Sequence, residues 1–290
     1  MLITGIGGFI GWNAAGYLAE NGVEVIGVYH RRKPSVNLRC KKVFSCNLAE
    51  DNIEEYMNDD AVETIIHFAG QMRGDKIRDY LDNTIGSTRK LIDYAEKKKV
   101  KTFIYISSIS VYGETLSSVN ENSDMINAND YGMSKYLCER MLEDANIENR
   151  IVIRLPRVLG KGCDLSYPWL PKVTAQLLKN EDVYYRNPDL MYNNMLYVDD
   201  LSTWLLHLLD KDMKGFNCFV LGAKGKKRII DILEKLKKEL SSTSKLIEKE
   251  ASVCNTCYAI ETEHAEEYGF SSRSIDEILE EFAKNVRKGM

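Results

Sequence analysis

The chain has 290 residues, 44% of them hydrophobic and 28% charged, with a formal net charge of −4. That suits one large α/β domain, or a main domain with a smaller lobe, and speaks against nucleic acid or another polyanion as partner. No apolar run approaches the ~20 residues that span a bilayer, and the opening "MLITGIGGFIG" lacks the basic stretch and long apolar core of a signal peptide. No membrane partner is therefore expected, and the expected location is cytoplasmic.

In chain order, the strand-like runs are "LIT" (2–4), "VEVIGVY" (23–29), "KKVFSC" (41–46), "TIIHFAG" (64–70), "TFIYISS" (102–108) and "RIVIRLP" (150–156). Helical periodicity falls between them, at 11–22, 88–99 and 134–146. Such alternation predicts an α/β fold: a doubly wound parallel sheet covered on both faces, with ligands over the carboxyl ends of its strands. After Pro156 the rhythm loosens. Residues 160–185 read as a loop, a helix and a strand, 193–210 as a strand feeding a helix, and "FNCFVLGAK" (216–224) as another strand. Two amphipathic helices close the chain, and their stripes, Ile229, Ile232, Leu233, Leu236 and Ile275, Ile278, Leu279, Phe282, read as core. The expected division is a dinucleotide-binding domain over 1–156, with return segments near 194–222, and a small α/β substrate lobe from 157–193 and 223–290.

Seven scattered cysteines do not suggest a disulfide framework. The pair Cys254 and Cys257 has no second pair and no histidine at ligand spacing, so it is read as coincidence and no metal is expected.

Between the first strand and first helix, Gly5, Gly8 and Gly11 form a G-x-x-G-x-x-G pattern. Glycine there permits a tight turn and lets backbone N–H groups approach a pyrophosphate at the helix N-terminus. Further on, "DYGMSKYLCE" places Tyr131 and Lys135 four residues apart on one helical face. A phenol is ordinarily a poor acid–base group, with a pKa of about 10, and a neighbouring ammonium is expected to pull it towards the working pH. Ser107 or Ser108, ending the fifth strand, could hydrogen-bond a substrate carbonyl or hydroxyl.

With "HFAG" ending the fourth strand and Asn83 in "DNTIGSTRKLI", this joint pattern resembles the extended short-chain dehydrogenase/reductase family, also called the NAD-dependent epimerase/dehydratase family. "RLPRVLGKG", "MLYVDDLSTWL" and "EEYGFSSRSIDEILEEF" look like its later landmarks, so the likeness runs nearly the full length. The resemblance implies a Rossmann-type sheet and a nucleotide-linked sugar as substrate. It makes Tyr131 the acid–base residue, Lys135 the group that binds the nicotinamide ribose and tunes Tyr131, and Asn83 part of the supporting network. Counted back from "SVYG", Ser108 matches the catalytic serine better than Ser107, and it would touch substrate. Cofactor contacts are implied for Thr4, Gly5, Gly8, Phe9, Ile10 and Gly11 in the turn, and for His30, Arg31 and Arg32 after the second strand. They are also implied for Asn47, Leu48, Ala69, Gly70 and Pro156, besides Tyr131 and Lys135. Family members often dimerise through two helices per subunit, here 84–99 and 131–146, so a homodimer is expected.

Departures from the family narrow the reaction. Its sugar 4,6-dehydratases carry an Asp-Glu pair after the strand-end Ser/Thr, whereas Ile109 and Ser110 follow Ser108, which disfavours dehydration. The UDP-glucose 4-epimerase branch has Asn and Arg where this chain has Arg157 and Asn193. Arg157 is thus a candidate for the substrate diphosphate, since a guanidinium suits a bidentate phosphate contact; the alternative is an arginine of the surface or lobe packing. Asp199 and Asp200 read as helix-start residues rather than a catalytic pair. Tyr29 stands where NAD-using relatives place a ribose-binding Asp, and Arg31 and Arg32 follow. That makes NADP(H) the expected cofactor, with NAD(H) as the alternative. The expected reaction is NADPH-dependent reduction of a nucleotide-linked 4-keto-6-deoxy sugar. An NAD-dependent nucleotide-sugar epimerase is the first alternative, followed by reduction of a non-sugar carbonyl and by a cofactor-sensing regulator without chemistry.

Overall fold

The computed structural model describes residues 1–34, 38–57, 60–72, 74, 76–114, 118–167, 169–250 and 259–288. The Cys254 and Cys257 pair lies outside them. Its core is a parallel sheet of seven strands: β1 (Leu2–Thr4), β2 (Ile26–Tyr29), β3 (Lys42–Ser45), β4 (Thr64–His67), β5 (Thr102–Ser108), β6 (Asn149–Leu155), and a late strand, Gly215–Val220, that returns beside β6. In space the order is β3, β2, β1, β4, β5, β6 and then that late strand. The direction of winding reverses between β1 and β4, so the ends of these two strands open the crevice where ligands of such sheets bind.

Alternation along each strand separates two cores. Ile3, Ile66, Ile104 and Ile153 face α1 (Phe9–Glu20) and the helix Val198–Leu208. Their neighbours Leu2, Ile65, Phe103 and Val152 face the opposite layer, which includes the helices Ser87–Lys97 and Asp130–Glu143. The short helices Glu54–Met57 and Ile77–Tyr80 are α2 and α3, Ser87–Lys97 is α4 and Asp130–Glu143 is α5. A π-helical turn, Leu81–Gly86, joins α3 to α4. A 3₁₀ turn, Ile109–Tyr112, follows β5.

The first-half helices start earlier than the periodicity predicts. α1 begins at Phe9 because Gly8, in extended conformation, precedes it. α5 begins at Asp130 because Asn129 caps it, its side-chain oxygen accepting from Gly132 N at 2.9 Å. Tyr131 and Lys135 therefore share one helix. The strand expected at 23–29 forms only from Ile26.

Beyond β6 come β7 (Arg157–Leu159), α6 (Leu170–Leu178), β8 (Val183–Tyr185), β9 (Met191–Tyr192), β10 (Met195–Tyr197), α7 (Val198–Leu208) and β11, the late strand of the sheet. Then follow β12 (Lys227–Arg228), α8 (Ile229–Glu239), β13 (Leu246–Glu248), α9 (Glu263–Glu267) and α10 (Ile275–Lys288). β10 does not join the main sheet; it pairs with β7. The stripes read as core from the sequence meet: Ile232, Leu233, Ile278, Leu279 and Phe282 are fully buried in a third cluster with α6 and β8. Among the described residues no helix is long and apolar enough to cross a membrane.

Candidate active site

The crevice at the strand ends is one cavity of about 1370 Å³. That exceeds the few hundred to about 1,000 Å³ usual for a single small ligand, and gives room for two. Its floor is the glycine turn. Gly5 has φ +76°, and a Cβ there would lie 2.7 Å from Ala69 N; at Gly11 it would lie 2.5 Å from the Gly5 carbonyl oxygen. These two glycines let the turn close against β4 and α1. Gly8 differs: a Cβ on it would meet only the Gly5 oxygen, at 3.4 Å, so its open side faces the cavity. A turn whose one side chain, Ile6, is buried away from the cavity, at the N-terminus of a 12-residue helix, fits a pyrophosphate.

Phe9, Ile10 and Gly11 line the same wall. His30, Arg31 and Arg32 line the cavity beyond β2, with Asn47 and Leu48 beyond β3 and Ala69 and Gly70 beyond β4. Both arginines are exposed. Thr4 stands apart from the resemblance's expectation: it is buried beneath the turn, its hydroxyl 2.6 Å from His67 Nδ1, and it does not line the cavity.

The opposite wall carries Tyr131. Gly132, next to Tyr131, packs against the Ser110 carbonyl oxygen with no room for a Cβ, which draws α5 onto the turn after β5. Ser108 is fixed by that turn: its Oγ accepts from Ser110 N at 3.1 Å and donates to Ser110 Oγ at 3.1 Å. Ser107 faces inward instead, onto the carboxylate of Glu139. Lys135 is 5% exposed, and its ammonium donates to the Ile106 carbonyl at 2.8 Å over the Tyr105 ring. Gly70 lies beside Lys135 Nζ, 3.6 Å from where its Cβ would be. Asn83 sits in the π-helical turn, its Nδ2 donating to the Asp79 carbonyl at 3.0 Å, and it too lines the cavity.

Electrostatics correct one expectation. Burial pushes Tyr131 up to about 12, and the Ser108 hydroxyl and the Arg157 guanidinium pull it down without prevailing. Lys135 itself is lowered to about 8 by burial, against the effect of Cys138 and Glu139. The spacing shows which charge stands near the phenol but not how much water both groups lose.

Pro156 and Arg157 complete the rim, and the Arg157 guanidinium lies over the Tyr167 ring at 5.2 Å. Asn193 does not reach this site. It is 3% exposed, donating to the Ala223 and Ile260 carbonyls and accepting from Ile260 N. Asp199 and Asp200 do open α7, and Asp200 accepts from Arg273 N at 2.9 Å. The far end of the cavity is lined by Tyr184, Tyr185, Arg186 and Lys249, which no motif marks. They meet because β8 pairs with β13, with Lys249 Nζ 4.3 Å from the Tyr184 ring centroid.

Residues 1–222 match the family described as NAD dependent epimerase/dehydratase. The UDP-glucose 4-epimerase of Haemophilus influenzae is 23% identical over the whole chain and 98% of its own length. Among solved structures, MoeE5 in complex with UDP-glucuronic acid and NAD superposes with a TM-score of 0.85 at 20% identity, covering 100% of this chain and 99% of the other. The UDP-glucose 4-epimerase of Thermotoga maritima, with UDP-glucose, gives 0.84 at 22% identity, covering 99% and 98%.

Proposed function

The chain belongs to the NAD dependent epimerase/dehydratase family, and on that premise we propose that it inverts C4 of a UDP-linked sugar, with NAD as its retained cofactor. The observation that carries this reading is Tyr131 beside Ser108 in a cavity large enough for two ligands, with no carboxylate in the two residues after Ser108. Without that acid–base pair, elimination of water has no agent among those residues. Net reduction of a 4-keto sugar gives way to epimerisation, because both named enzymes among the relatives above are 4-epimerases.

Bound with its pyrophosphate at the glycine turn, the dinucleotide would supply the acceptor, and then the donor, of a hydride at C4. The chain moves the proton. Tyr131 takes it from the C4 hydroxyl as the carbonyl forms, and gives it back to that oxygen once the sugar presents its opposite face. Ser108 holds the oxygen that changes between hydroxyl and carbonyl. Lys135, buried one turn along the same helix, would hold the nicotinamide ribose. Arg157, Arg186 and Lys249 supply positive charge along the rim for the diphosphate.

Arg31 and Arg32 favour a second reading of the cofactor, since both line the cavity beyond β2 where a 2′-phosphate would meet them. Fluorescence titration of cofactor-stripped protein with NAD(H) and NADP(H), followed by incubation with UDP-glucose and UDP-glucuronic acid, tests both points. NAD bound more tightly, with C4 epimers appearing without net cofactor turnover, is the expected result. Tight NADPH binding with stoichiometric oxidation on a 4-keto sugar would overturn it.

The chain is also proposed to form a homodimer, through α5 and, in place of the expected helix at 84–99, through α3 and the π-helical turn after it, where the exposed apolar side chains lie. Ile77 on α3 with Leu81 at the start of the π-helical turn, and Met133 with Leu137 on the neighbouring α5, put pairs of apolar side chains, 42–55% exposed, at i, i+4 spacing. Sedimentation should show a dimer that Leu137→Arg converts to a monomer; a wild-type monomer at micromolar concentration would sink the idea.

A further inference from the structure

One buried carboxylate near the site takes no part in the steps above. Glu139 lies on α5 one turn beyond Lys135 and two beyond Tyr131, and it is 2% exposed. Arg154, on β6, donates to it from Nε at 3.1 and 3.2 Å and from Nη2 at 2.7 Å, and Ser107 donates its hydroxyl. Arg154 spends Nη1 on the Tyr112 hydroxyl at 3.0 Å and the Glu121 carbonyl at 3.1 Å. Ser107 immediately precedes Ser108, and Tyr112 ends the turn that follows it. One ion pair thus grips the chain on both sides of the serine and fastens it to the helix that carries Tyr131 and Lys135.

We propose that Glu139 is a positioning residue: clamped by Arg154, it holds α5 in register with the Ser108 turn and sets a fixed negative charge one turn from Lys135. This rests on the roles given above to Tyr131, Lys135 and Ser108. The surroundings of Lys135 make that charge count. From β5 it meets the Tyr105 ring and the Ile106 carbonyl. From β4 it faces His67, which burial holds neutral by lowering its pKa to about 3. On its own helix stand the phenol of Tyr131, raised by burial, Cys138, whose thiol is likewise raised by burial, and Glu139. Of these groups, Glu139 alone is a carboxylate, paired with the Arg154 guanidinium at 2.7 Å.

A merely structural clamp and a charge that acts on Lys135 are separated by two variants. Glu139→Gln removes the charge and leaves Arg154 buried without its partner, so it lowers stability as well. Pairing it with Arg154→Met removes both charges and much of that penalty. The readout is the titration of Lys135 in the full chain, followed by NMR of carbon-labelled lysine and assigned through the signal lost in Lys135→Met. In both variants the titration is expected to move to lower pH by about one unit, while the melting temperature recovers in the double variant. The alkaline limb of kcat should move in parallel, with KM for the UDP-sugar within about twofold. Should Glu139→Gln fail to fold, the double variant carries the test. A Lys135 titration unchanged in the double variant would overturn the proposal and leave a structural clamp alone. A shifted titration in a protein that turns over no UDP-sugar would uphold this inference while the proposed reaction falls.

Discussion

Gly132 lies flush against the carbonyl oxygen of Ser110, with no space for even a methyl group between helix and turn. That contact sets how closely Tyr131, one residue earlier on α5, approaches Ser108, two residues before Ser110 on the other side. Gly132→Ala must open the gap, because a backbone carbonyl on a short capped turn cannot swing aside as a flexible side chain would. A displacement near 1 Å at a reacting group can lower turnover about 100-fold. The expected result is a fall in kcat of about ten- to a hundredfold with cofactor affinity retained. Steady-state kinetics beside a dinucleotide titration check it, and wild-type turnover would refute it.

Tyr131 must shed its proton to act as base, and burial opposes that by raising its pKa to about 12. The rate should therefore climb from neutral into alkaline pH until Lys135, lowered to about 8, begins to lose its charge. Arg157 is one of two groups that pull Tyr131 down. Replacing it with methionine should carry the rising limb to higher pH and reduce turnover most at pH 7. Tyr131→Phe should lose about 10²- to 10⁴-fold at every pH. A pH profile of kcat unchanged by Arg157→Met would show that the guanidinium does not act on the phenol.

Lys135 is held at a stability penalty. Its pKa falls from 10.5 in the open chain to about 8 when folded. Between those values the unfolded chain binds the extra proton, so stability rises with pH across that window and the full penalty applies below about pH 8. Two and a half units correspond to about 3 kcal/mol. Lys135→Met is expected to abolish turnover yet raise the melting temperature at pH 7 by a few degrees, reduced by the hydrogen bond lost to Ile106. Calorimetry at pH 7 decides it: a lower melting temperature would mean that the ammonium stabilises the fold.

His67 makes the opposite demand at low pH. Thr88 donates its hydroxyl to the Thr84 carbonyl at 2.7 Å, so its oxygen accepts from His67 Nε2–H at 3.0 Å, and Nδ1 accepts from Thr4. The chain of donors needs a neutral ring, and burial lowers its pKa from 6.5 to about 3. Stability from this group is complete above about pH 6.5 and is lost as the pH falls towards 3, at up to about 1.4 kcal/mol per pH unit. Urea midpoints measured from pH 7 down to 4 should fall more steeply for the wild type than for His67→Gln. Parallel slopes would show that His67 does not titrate against the fold.

The glycine turn and the Tyr131–Lys135 wall of the cavity were legible in the sequence because their signals are local. A strand, three spaced glycines and a helix sit within 20 residues, and Tyr131 and Lys135 share one helix face. The arrangement of Asn83 was not, since a π-helical turn has no marker in "LDNTIG". Glu139 and Arg154 are 15 residues apart on different elements, and only the packing of α5 on β6 brings them together. Asn193 looked like a departure at the substrate site, yet it turned out to be a strut spanning 67 residues to Ile260. Nor does spacing carry the pKa of Tyr131: a neighbour four residues away can be read from it, but loss of water cannot.

β8 and β13 meet through three paired residues, and Lys249 adds one more hydrogen bond, to the Tyr185 carbonyl at 2.9 Å. Tyr184, Tyr185, Arg186 and Lys249, at the outer end of the cavity, hang on that short seam, while the glycine turn, Ser108, Tyr131 and Lys135 are set by the main sheet and its own helices. A lineage could rewrite the seam and its loops, and so reshape the outer end of the cavity, while the glycine turn, Ser108, Tyr131 and Lys135 stay where they are.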